Sequence, residues 1–295
     1  MVLANGTILR KRYEIIQLLG RGGFGETYLA EDIEVQLATK PKRVVKRLLP
    51  QMMQPVILDL FKKEAATLDR LGENNSQIAR FFDYFQENQE FYLVQGFIEG
   101  HNLSHEITQG KKLSESYVIQ LLSDFLPILA YLHQNQIIHR DIKPENIMRR
   151  NSDGKLVLID FGIVKEMGSV VVSQGQTRYT VSAGTPGYMP IEQQVGKPEY
   201  SSDIYAVGVM AIFALTGISP DKLPLDKRTR EVVWRQGTSV SEGLANILDK
   251  MVRYNCSHRY QDATEALAAI QSLTSPLPTK PSLPPPNLNR RTFCK

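Results

Sequence analysis

The chain has 295 residues, 42% hydrophobic and 22% charged, a composition that excludes disorder and leaves room for a two-lobed domain. A net charge of +4 is too small at this size to argue for nucleic acid, so the cationic runs at 10–12 and 40–47 are read as solvated edges. Cys256 and Cys294 form neither a disulfide framework nor a metal-ligand spacing, and the N-terminus lacks the apolar core of a signal peptide. The longest mostly apolar run, 204–216, has 13 residues against roughly 20 for a membrane span, so a cytoplasmic protein without a span is expected.

From residue 13 to 49 the pattern predicts strands joined by turns, YEIIQLLG, GETYLAED and KRVVKRLL, with glycines bunched at 20–25. A helix should follow over 55–71, where Ile57, Leu60, Phe61, Leu68 and Leu71 share one stripe and Glu64 falls on that same inward face. IARFFDYF and EFYLVQGFI complete a small strand-rich lobe. After Gly100 the pattern turns helical: Ser114 caps a helix reaching about His133, and the interior Pro127 predicts a kink at 123–127. KLVLID is a buried strand ending at Asp160, an apolar helix over 203–217 closes on glycine, and helices follow near 241–252 and 262–273. Residues 274–295, with six prolines between 276 and 286, cannot build a core and read as an extended tail.

The chemistry starts at LGRGGFGET, where Gly20, Gly22 and Gly25 make GxGxxG, a spacing that lets backbone N–H groups approach phosphate oxygens. A dinucleotide fingerprint would open into a helix; here TYLAED continues as strand, so the motif is a phosphate-covering hairpin. Lys46 sits in an apolar strand and Glu64 on an inward stripe, so each is the natural partner of the other, a buried pair that also holds ATP phosphates. HRDIKPEN at 139–146 fixes five residue types in a pattern whose chance occurrence is on the order of 10⁻⁴. Asp141 would accept the proton of an attacking hydroxyl, Lys143 would neutralise the transferring phosphoryl group, and Asn146 and Asp160 would hold a metal ion.

In this order, with GTPGYMPIE at 184–192, SDIYAVG at 202–208 and Arg259, the motifs resemble the eukaryotic-like protein kinases, in particular the bacterial serine/threonine kinases of that type. The resemblance implies an α+β fold of two lobes over 13–273, a β-rich N-lobe (about 13–96) with one main helix and a larger, mostly helical C-lobe (about 97–273). It implies ATP and Mg²⁺ as cofactors. The nucleotide site would comprise Leu19, Gly20, Arg21, Gly22, Gly23, Phe24, Gly25, Thr27, Val44, Lys46, Glu64, Gln95, Phe97, Ile98 and Met148. Within it Val44 and Met148 would sandwich adenine, and the backbone of Phe97 and Ile98 would bond it. Lys143 two places after Asp141 resembles members acting on serine or threonine.

Arg140 beside Asp141 resembles kinases switched by activation-segment phosphorylation, with Ser169, Ser173, Thr177, Thr180 and Ser182 as candidate acceptors. Thr185 is expected to contact Asp141 and Lys143, and Glu192 to pair with Arg259; Asp203 completes the structural set. Protein substrates, self-association for autophosphorylation in trans and no nucleic acid are the expected partner pattern. The chain departs from the family where APE is replaced by Pro190, Ile191 and Glu192, where Thr27 replaces valine, and where Gln95 and Gly96 precede the hinge. A nucleotide-binding pseudokinase scaffold and a small-molecule phosphotransferase are the alternatives.

Overall fold

The computed structural model describes residues 2–22, 25–35, 37–48, 62, 65–67, 69–160, 185 and 187–273, with the backbone of 170–173, 176–179 and 274. The expectations for Gly23, Phe24, Glu64, Ser169, Thr180, Ser182, Cys294 and the tail lie outside the described residues.

The N-terminal part is one antiparallel sheet in the order β1-β2-β3-β4-β6-β5, made by β1 (Ile8–Leu9), β2 (Tyr13–Arg21), β3 (Gly25–Asp32), β4 (Lys42–Leu48), β5 (Phe81–Glu87) and β6 (Glu90–Gly96). Period-two alternation gives its two faces different work. Tyr13, Ile15, Tyr28, Ala30, Val45, Phe85, Tyr92 and Val94 pack on one face beneath Leu3 and Leu9. Leu48 and Leu93 on the other join the main core with Ala65, Leu71 and Leu158. The latter face carries Val44 and Lys46, which pair in register with Gln95 and Leu93.

The cationic runs are not solvated edges throughout. Arg12 bonds both oxygens of the fully buried Asp32 at 2.9 and 3.0 Å, Arg43 reaches the same carboxylate at 3.3 Å, and Arg47 is 6% exposed. Each guanidinium neutralises a carboxylate that the sheet has taken out of water, an arrangement that charge counting along the chain does not reveal.

The second part surrounds a helix, α1 (Glu115–Gln134), whose N-cap Ser114 accepts from the Tyr117 N–H at 3.2 Å. α1 spans Glu115–Gln134 with Pro127 inside it, and that proline lies on the exposed side of the helix. A three-stranded sheet joins the expected strand β9 (Leu156–Leu158) to two that the sequence reading missed, β7 (Gly100–Asn102) and β8 (Ile147–Arg150), in the order β7-β8-β9. A hairpin of β10 (Val170–Ser173) and β11 (Gln176–Tyr179) follows, and it too was unforeseen. The helices α2 (Ile191–Gln194), α3 (Tyr200–Thr216), α4 (Glu242–Met251) and α5 (Ala263–Thr274) complete the structure. α3 is buried along nearly its whole length and ends at Gly217, whose φ of 69° is the left-handed cap that glycine supplies.

Glu106 ties β7, β8 and α1 together, accepting from Arg149 at 2.7 Å, Tyr117 at 2.5 Å and His101 at 2.8 Å. Burial opposes its ionisation, but these hydrogen bonds outweigh that and hold its pKa at about 2, below the ordinary 4.5. The stabilisation is therefore complete above pH 4.5 and is lost as pH falls towards 2. Glu106→Gln is expected to lower the melting temperature at pH 7 and to flatten the acid limb of the stability profile, measured by thermal melts across that range. An acid limb of wild-type steepness would show that Glu106 does not drive it.

Candidate active site

One buried carboxylate organises the loop between α1 and β8. Asp203, in the first turn of α3 and 1% exposed, accepts the backbone N–H groups of His139 and Arg140 at 2.8 Å each. His133 of α1 meets it at 3.2 Å and accepts from the Ala263 N–H of α5 at 3.1 Å. Two helices and the loop thus meet at one side chain, with α5 joined to it through His133, and that side chain is placed where a helix N-terminus favours negative charge. Arg140 is held at φ 69°, a left-handed conformation uncommon for arginine, and its carbonyl accepts from Gln193 at 2.7 Å. His139 is fully buried; desolvation lowers its pKa against the pull of Asp203 and Asp141, so the neutral ring accepts the Asp141 N–H at Nδ1, 3.3 Å away.

On this support sits the polar cluster. Asn146, in a tight helical turn opened by Pro144, donates to both the carbonyl (2.7 Å) and the carboxylate of Asp141. Lys143 Nζ lies 3.6 Å from Asp141 Oδ2 and donates to Thr185 Oγ1 at 2.9 Å, and Thr185 reaches Asp141 Oδ1 at 3.4 Å. The Ile159 N–H donates to the Asn146 carbonyl at 3.1 Å, which fixes Asp160 beside the cluster. Asp160 is ion-paired with Lys46, whose Nζ is also 3.5 Å from the Ile159 carbonyl. Because the Asn146 N–H groups are spent on Asp141, its Oδ1 and the 40% exposed Asp160 carboxylate remain as oxygen donors of the kind a hard divalent cation takes.

The nucleotide-site residues divide among elements. Leu19, Gly20 and Arg21 end β2; Gly25 and Thr27 open β3; Val44 and Lys46 lie on β4; Gln95 lies on β6, with Phe97 and Ile98 immediately after it; Met148 lies on β8. A Cβ on Gly25 would stand 2.4 Å from the Arg47 carbonyl, so glycine there is required by the strand pairing itself. Gly20 and Gly22 differ: a Cβ would find nothing nearer than 4.0 Å, leaving their backbone open to approach.

At the foot of the second part, Arg259 bonds Glu192 at 2.6 and 3.2 Å, donates to the carbonyls of Ser201, Arg253 and Tyr254, and stacks 4.8 Å over Tyr205. Ser202 adds a hydrogen bond to Glu192 at 2.7 Å. Pro190 serves as the N-cap of α2 and Ile191 is turned out, 41% exposed, so the altered PIE triplet leaves this pair intact. His133 and Gln193 were missed as supporting residues. The inward position of His133 on the α1 stripe was the available signal for the first; Gln193 had none.

Residues 13–270 match the protein kinase domain family. The chain is 47% identical over 277 residues to serine/threonine-protein kinase C of Synechocystis sp., covering 92% of this chain and 51% of that protein. It is 45% identical over 281 residues to serine/threonine-protein kinase PknA of Nostoc sp., covering 93% and 50%. The chain therefore spans about half the length of these curated relatives. Its fold is similar to the crystal structure of the Mycobacterium tuberculosis PknI kinase domain, with a TM-score of 0.69, 22% identity, and 92% and 99% of the two chains covered.

Removing one partner of a buried ion pair costs about 3 kcal/mol or more, which at this domain size lowers the melting temperature by roughly 6–12 °C. Glu192→Ala should show that loss in calorimetry, with partial recovery when Arg259→Met removes the stranded cation; an unchanged melting temperature in Glu192→Ala would disprove the contribution.

Proposed function

This chain belongs to the protein kinase family, and from that premise we propose that it is a serine/threonine kinase transferring the γ-phosphoryl group of ATP to protein hydroxyls. The observation that carries the reading is the contact of Asp141 with Lys143, Asn146 and Thr185, set against the Lys46 and Asp160 pair. Asp141 takes the proton of the acceptor hydroxyl, and Lys143 faces the charge that develops during transfer. Thr185 holds both in register. Positioning and charge neutralisation are the work required, since phosphoryl transfer needs little covalent chemistry from the protein.

Protein kinases generally use ATP and Mg²⁺, and the residues here fit both. Among the described residues Gln95 Nε2 is buried without a hydrogen-bond partner on the face that carries Val44, as befits a lining for a polar base. The open backbone at Gly20 and Gly22 suits phosphates, with Val44, Phe97, Ile98 and Met148 available to adenine. Asn146 and Asp160 would hold magnesium, which when bound supplies charge neutralisation at the phosphates. Lys143 supports serine and threonine as acceptors. The intact donor set gives the scaffold alternative nothing to rest on.

Autophosphorylation in trans is part of this reading, with Arg140 the residue that would meet a phosphorylated activation segment. Of the candidate acceptors, Ser173 and Thr177 fall on the β10–β11 hairpin. Among the described residues no helix is long and apolar enough to cross a membrane, and Cys256 is a free thiol, compatible with the reducing cytoplasm we assign.

The test is incubation with labelled ATP, magnesium and a generic basic protein, followed by phosphosite mapping. Wild type should label serine or threonine, Asp141→Ala should not, and Asp160→Asn should fall below about a tenth of wild type at saturating magnesium. Nucleotide binding without transfer in the wild type would overturn the assignment.

A further inference from the structure

On the face of the sheet opposite Lys46 runs a line of charges of which only Arg21 was counted in the nucleotide site above. Arg21 and Glu26 are the last register pair of the β2–β3 hairpin before its glycine turn, where the Gly22 N–H donates to the Gly25 carbonyl at 2.8 Å. Arg21 donates to Glu26 Oε1 at 2.6 Å. Glu26, 2% exposed, accepts at Oε2 from Arg47 at 3.0 Å and from the Tyr28 hydroxyl. Arg47 in turn forks onto Glu90, with Nε at 2.9 Å from Oε2, and Tyr92 donates to the same oxygen at 2.6 Å. The signs alternate from the hairpin tip across β3 and β4 to β6.

Burial works against ionising Glu26, but the hydrogen bonds from Tyr28 and Arg21 and the charge of Arg47 outweigh it, so its carboxyl stays below the ordinary range. For stability alone such a buried ionic row is a poor choice, because well-packed apolar residues of similar volume do as well or better. What charges add is a defined geometry. The row ends on the hairpin whose backbone covers the phosphate site, and Arg47 directly follows Lys46, so one strand reaches Asp160 from one face and the hairpin tip from the other.

We propose that Glu26, bridged between Arg21 and Arg47, is a positioning residue that holds the glycine hairpin at the height required to engage ATP phosphates. This rests on the kinase reading. Holding the hairpin removes a freedom that nucleotide binding would otherwise have to freeze, so its loss weakens ATP binding more than it slows transfer.

The experiment is titration of MgATP by calorimetry, with KM and kcat for ATP, on wild type, Glu26→Gln, Arg21→Ala and Arg21→Lys. Glu26→Gln should raise Kd and KM for ATP about tenfold while kcat changes by less than about threefold. Arg21 is half exposed and Arg47 still neutralises Glu26 without it, so Arg21→Ala should raise KM with a smaller fall in melting temperature than Glu26→Gln, and Arg21→Lys, which keeps the charge, should recover most of the loss. If Glu26→Gln does not fold, Tyr28→Phe decides the matter, because it removes a donor to Glu26 at a residue outside the nucleotide site and should raise Kd for MgATP in the same direction. Nucleotide affinity within twofold of wild type in folded variants would overturn the inference and leave the kinase reading intact. A wild type that binds no MgATP would overturn both.

Discussion

The loop that holds the Asp141 cluster depends on a buried carboxylate that stands outside the cluster. Asp203 is buried in the first turn of an almost wholly apolar helix, where an unpaired charge would be prohibitive. It is tolerated because two backbone N–H groups of the loop and the His133 ring turn towards it. The dependence is mutual: those N–H groups would themselves be unsatisfied without it. Arg140 is held in an unfavourable backbone conformation by the same contacts together with Gln193, and Asp141 leaves the loop in the orientation that Asn146 and Lys143 then complete.

A second constraint comes from strand alternation. Successive residues of β4 point to opposite faces, so Lys46 and Arg47 cannot serve the same cluster. Lys46 is committed to Asp160 in the cleft, and Arg47 to Glu26 and Glu90 on the outer face. The sheet therefore presents one set of charges to Asp160 and a separate set to its outer face. Below, the Glu192 and Arg259 pair plays the corresponding part for the segment after Thr185, tying it to α3 and to the loop before α5.

Much of this was legible along the chain. The six main strands and helices of the described regions could be read from period and caps, and HRDIKPEN with Asp160 named residues that the fold brings together, because short spacings there act on local backbone. What could not be read were short strands with no period to detect, such as β7, and the burial of Arg12, Arg43 and Arg47. Periodicity tells which face a residue takes; it does not tell what stands opposite.

The sequence by itself determined the residue types that gather around Asp141 and the fold that the order of motifs implies, since these follow from local spacing and composition. Only the tertiary structure decided which charges are structural. Asp203 meets a backbone 64 residues away, Glu192 an arginine 67 away, and Glu26 a strand neighbour set by register. Such partnerships arise because burying a charge compels it to find an opposite wherever the chain has folded, and that location is a property of packing rather than of any segment.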